Sequence, residues 1–77
     1  MTQQEARRAK LLPSMRRWGF DCEARAFLWG LIAEKRRARY CALYAKNAGA
    51  AVESRECKKM WRAVMREYLW QARASAL

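Results

Sequence analysis

The sequence predicts an all-α fold: a short bent N-terminal helix packed on an antiparallel hairpin of two long helices, in a single domain over residues 1–77. Three observations predict it. β-branched residues are limited to Thr2, Ile32, Val52 and Val64, and no stretch alternates apolar and polar residues as a half-buried strand would. The chain has three glycines and one proline, and 53% of its residues are hydrophobic, so it is poor in helix breakers and too apolar to stay unfolded. Apolar residues also recur at three- and four-residue spacing through three segments.

The first expected helix covers residues 3–18. Thr2 and Glu5 match a capping box, in which each side chain satisfies the other residue's free amide. Leu11, Met15 and Trp18 fall at i, i+4 and i+7 on one stripe. Pro13 has no amide donor and disfavours helical backbone at Leu12, so the helix stops or bends there, and Gly19 ends it.

The second helix is expected over 22–46, with Asp21 as N-cap, Glu23 in the first turn and Asn47 and Gly49 at its end. Ala24, Phe27, Leu28, Leu31 and Ile32 make its main apolar stripe, and Trp29 projects from a neighbouring face. Gly30 marks a close helix crossing or a local bend. In the second half Lys35, Arg36, Arg37 and Arg39 spread around the circumference and leave a thin seam of Ala38, Cys41, Ala42 and Ala45. Glu34, near the core stripe, is expected to pair with an arginine.

The third helix is expected over 52–74, with Ser54 as its cap. At 100° per residue, Cys57, Met60, Trp61, Val64, Met65, Tyr68 and Ala72 share one face. Arg55, Lys59, Arg62, Arg66 and Arg73 share the opposite one, with Trp70 beside them. A hairpin this apolar would bury its aromatics better against a second copy, so a helical homodimer is an expectation.

Seventeen basic and seven acidic residues give a formal net charge of +10, and twelve of the cations are arginine. An anionic partner follows from that balance. Histidine is absent, which excludes histidine acid–base catalysis, Ser–His and Cys–His nucleophiles and histidine metal sites. The acids form no catalytic pair, and Gly19, Gly30 and Gly49 are too isolated for a phosphate loop, so neither an enzyme nor a cofactor is expected. Cys22, Cys41 and Cys57 fit neither a paired disulfide framework nor a CxxC metal knuckle, and read as reduced thiols packed as small hydrophobes in a cytoplasmic protein. The longest apolar run, residues 26–33, falls well short of the roughly 20 residues of a membrane span. Residues 1–10 lack a secretory apolar region.

Two functions fit these features. The five-cation stripe of the third helix, free of acids, suits contact along a phosphate backbone. The alternative is an inhibitor or adaptor that docks arginine and tryptophan side chains on an acidic partner protein. Arg36, Arg37 and Arg39 with Tyr40 and Tyr44 form a second candidate patch, fit for base stacking or for gripping carboxylates. Of the four tryptophans, Trp18 and Trp61 are expected in the core, and Trp29 and Trp70 at a contact surface. In composition alone, the richness in alanine and arginine resembles that of small regulators and inhibitors of bacteria, phages and plasmids.

Overall fold

Proline and glycine set the first turn of the chain. In the computed structural model, which describes Ala6 and residues 9–76, Leu12 is extended (ψ 149°), as a residue before proline must be, and Pro13 opens helix α1 (Pro13–Arg17) at a position where its missing amide costs nothing. Ala6, Ala9 and Lys10 are helical and Leu11 and Leu12 are not, so of the stop or bend expected within residues 3–18 it is the stop that occurs, and Pro13 starts a new helix. Thr2 and Glu5 lie outside the described residues. Gly19 (φ +80°) closes α1: the Gly19 N–H donates to the Arg16 carbonyl at 3.0 Å and the Phe20 N–H to the Met15 carbonyl at 3.2 Å, the paired bonds of a Schellman motif. The reversal turns Trp18 and Phe20 inward, where both are buried.

Helix α2 (Glu23–Leu31) begins after Cys22, not Asp21, and Cys22 makes no side-chain cap. The expected continuous helix over 22–46 is two helices. Ile32 (ψ 136°) and Ala33 (ψ 139°) are extended, and α3 (Glu34–Lys46) starts afresh, with the Arg36 and Arg37 amides donating to the Ala33 carbonyl. The reason is angular. In one unbroken helix Tyr40 and Tyr44 would lie about 80° and about 120° around from Ile32, a fan across the full width of an apolar stripe. The break lets all three point inward: Ile32 and Tyr40 are buried and Tyr44 is half-buried. Asn47 ends α3 as expected, its amide side chain donating to the Leu43 carbonyl at 3.1 Å.

Helix α4 (Arg55–Ala76) follows an eight-residue connection, residues 47–54. The Ser54 hydroxyl accepts the Cys57 amide at 3.2 Å, the expected cap. Cys57, Met60, Trp61 and Val64 are buried along one face and Tyr68 is half-buried, whereas Met65 and Ala72 are exposed. Among the described residues from Pro13 onward there are four helices, where the expected arrangement had three in all. No strand occurs among the described residues.

Aromatic rings fill the core. Phe20 sits at its centre, edge to face with Trp29 (5.2 Å between centroids) and Tyr44 (5.7 Å), and tilted on Trp61 (5.1 Å). Trp29 reaches Tyr40 and Trp61 at 6.3 and 6.5 Å. Three polar bonds tie distant segments to this cluster. The Trp18 carbonyl accepts the Trp61 indole N–H at 2.5 Å and the Cys57 thiol at 3.6 Å, and the Trp18 indole donates to the Asn47 carbonyl at 3.2 Å.

Placing a carboxylate at fully buried Val64 would leave it unpaired among these rings. Val64→Asp is expected to abolish the cooperative helical melt seen by circular dichroism, and a retained melt would contradict the packing.

Loss of water pushes up the pKa of the Cys57 thiol, Glu53 adding to the rise and Arg25 opposing it. Tyr40 is pushed up in the same way, with Glu67 adding. Both groups are neutral in the fold and ionise more readily once unfolded, from ordinary values of 9.0 and 10.0. Their contribution to stability is complete below those values and is lost as pH rises through the higher folded ones. Melting temperature should therefore fall above about pH 9, and Cys57→Ala should make that fall shallower.

Candidate functional site

The basic stripe exists as a physical surface because the other face of α4 is committed to the core. With Cys57, Met60, Trp61 and Val64 turned inward, Arg55, Lys59, Arg62, Arg66 and Arg73 face solvent, and all five are exposed. The ridge runs about 27 Å along the helix. None of its cations belongs to an ion pair among the described residues, where the one pair joins Arg36 Nε to Glu67 Oε1 at 3.1 Å. Trp70, 66% exposed, flanks the ridge as expected.

The second patch divides. Arg39 is exposed beside Lys35, but Arg36 is held by Glu67, whose carboxylate also accepts from the Gln71 amide at 3.3 Å. Arg37 is half-buried, and its Nε is buried without a hydrogen-bond partner among the described residues. Tyr40 lies in the core. Tyr44 packs edge to face on Trp18 at 5.4 Å and donates its hydroxyl to Ser14 Oγ at 2.5 Å. Trp29 is half-buried in the aromatic cluster. Trp29, Tyr40 and Tyr44 therefore pack within the fold, and the inward face of α3 runs through Arg36, Arg37, Tyr40 and Tyr44. The expected seam of Ala38, Cys41, Ala42 and Ala45 is exposed instead. Glu34 is exposed and unpaired among the described residues; the arginine partner belongs to Glu67.

Periodicity also misplaced part of the α2 stripe. Ile32 is buried and Leu28 half-buried, but Phe27 is 64% exposed, and Ala24 and Leu31 are exposed as well. On that side α2 and α4 enclose an open groove of about 740 Å³. Leu28 and Trp61 line it, Met65 and Leu69 form the α4 wall, and Arg25, Lys58, Arg62 and Arg66 surround them. The Arg25 guanidinium sits over the Trp61 ring, 5.3 Å from its centroid. The signal for its α4 wall alone was present in the sequence: Met65, Leu69 and Ala72 trail off the core stripe of α4 toward one flank of the basic stripe.

Among the described residues, no group of three metal-ligating side chains comes together, and no helix is long and apolar enough to cross a membrane. No family model, curated protein or solved structure matches the chain.

The cysteines are free: Cys57 is buried as expected, whereas Cys22 and Cys41 are exposed. A thiol reagent should modify two cysteines rapidly in the native protein and the third only on unfolding. Rapid native modification of all three would contradict the burial of Cys57.

Proposed function

We propose that the chain is a small, non-enzymatic cytoplasmic protein that binds nucleic acid through the α4 ridge, gripping the phosphate backbone rather than reading bases. The observation that carries this reading is the ridge itself: five exposed cations on one side of one helix, with no acid among them and no ion pair taking up their charge among the described residues. Each cation that meets a phosphate releases condensed counterions, and a net charge of +10 steers the approach. Backbone contact is favoured over base reading because the connections between α1 and α4 are five, two and eight residues long, unlike the three- to four-residue turn of a helix-turn-helix.

The alternative is an inhibitor or adaptor that docks on an acidic protein. It rests on Trp70, the tryptophan left largely exposed beside the ridge. Under that reading Trp70→Ala weakens partner capture and nuclease treatment leaves it intact.

If all five cations engage duplex DNA, log Kd should change with log salt concentration with a slope of about 4 to 5. Arg62→Glu with Arg66→Glu should leave the melting temperature nearly unchanged, because exposed substitutions usually stay within about 0.5 kcal/mol each. The same pair should weaken duplex binding by more than about tenfold near physiological salt and make the slope shallower by about 2. Unchanged affinity in the folded double variant would reduce the ridge to a solvated face.

A further inference from the structure

The groove between α2 and α4 shares Arg62 and Arg66 with the ridge, but its apolar wall is a surface that the nucleic-acid reading does not use. The large exposed hydrophobic side chains of the described residues include Phe27, Leu31, Met65 and Leu69, and all four lie on the two helices that form it. Two clefts share Ala24, one holding Leu28, Trp61, Met65 and Leu69 and the other Phe27 and Leu31, so the apolar surface is continuous across α2. The Cα radius of gyration of 13.0 Å, against about 11.5 Å for a compact domain of this length, agrees with helix surface left uncovered.

We propose that this groove receives an acidic amphipathic helix of a partner protein. The stretch of α4 from Lys58 to Leu69 is about 16 Å long, which matches about three turns of an occupant helix. Apolar residues at i, i+4 and i+7 of that helix rest on Leu28, Met65 and Leu69, as in other helix-in-groove complexes. Its flanking carboxylates meet Arg25, Lys58, Arg62 and Arg66, the four cations of the lining. Charge decides between occupants. A second copy would bring another +10, and the apolar strip of its own α4 is bordered by cations, so like charge would face like charge. Nucleic acid would leave the aliphatic wall without a use, since Trp61, the aromatic ring of the lining, is buried under Arg25 and unavailable for stacking.

The test uses a fluorescein-labelled synthetic peptide with leucines at i, i+4 and i+7 and glutamates on both flanks, its binding followed by anisotropy near physiological salt. A scrambled peptide of the same composition should bind at least about tenfold more weakly, because it keeps the charge and loses the apolar face. Met65→Ser with Leu69→Ser, both at exposed positions, should weaken the ordered peptide by about tenfold, while Arg55→Gln with Arg73→Gln, off the groove, should change it less than about twofold. Cys22 lines the groove and Cys41 does not, so bound peptide should slow alkylation of Cys22 alone. Three results would overturn the proposal: equal binding of ordered and scrambled peptides; a dimer of the free protein, seen by sedimentation, that Leu69→Glu dissociates; or duplex DNA that protects Cys22 and loses affinity in the Met65/Leu69 variant. Loss of peptide binding with duplex binding intact refutes the groove alone. Loss of duplex binding with peptide binding intact refutes the ridge alone.

Discussion

Where α1 ends, the Trp18 carbonyl has no helical partner, and the core is assembled around the way that one acceptor is satisfied. The Trp61 indole and the Cys57 thiol both reach it, so two consecutive turns of α4 are tied to the turn at Gly19. A buried carbonyl left without donors would cost about 1 to 3 kcal/mol, which makes the register of α4 against that turn a condition of stability. The positive φ of Gly19 is what aims the carbonyl and places Phe20 among the other rings. Everything that touches Phe20, from Trp29 on α2 to Tyr44 on α3, inherits its position from that reversal.

Helix α4 and its two faces were legible in the sequence because a long helix with one committed face obeys a single period. Ser54 as cap, Gly19 as stop, Asn47 as terminus and Trp18 and Trp61 as core residues follow from local rules that the rest of the chain does not override. The break at Ile32 and Ala33 was signalled only loosely, by the bend expected at Gly30 two residues earlier; Gly30 itself lies inside α2 with open space beside it, not at a close crossing. Ala33 offers no capping side chain, no proline or glycine stands at the break, and both flanking segments favour helix, so only the demand that Ile32, Tyr40 and Tyr44 share a core separates them. The same demand rotates α3 until arginine and tyrosine face inward. A polarity pattern cannot show this, since those side chains bury their stems and rings while their charged or polar ends find water or a partner. Of the candidate site, the five ridge cations and Trp70 were readable, whereas the groove needed two helices to be placed side by side.

Arginine has two roles in this protein, and its neighbours decide which. Arg25 lies over Trp61, Arg36 is paired with Glu67 and Arg37 is half-buried, so each is part of the packing of its helix. Among the described residues the ridge arginines belong to no ion pair, and their charge faces solvent. Arg62 and Arg66 belong both to the ridge and to the groove lining, so a ligand on either surface alters the charge available to the other.

The bonds to the Trp18 carbonyl join residues 39 and 43 positions apart in the chain. During synthesis, at roughly 5 to 20 residues per second, Trp18, Phe20, Trp29 and Ile32 are therefore made several seconds before the helix that covers them. Over that interval the nascent chain carries bulky rings with nothing to bury them against and an acceptor still open to water. Closure of the core must then await the emergence of α4, with the rings of α1 to α3 open to chaperones and to other chains in the meantime.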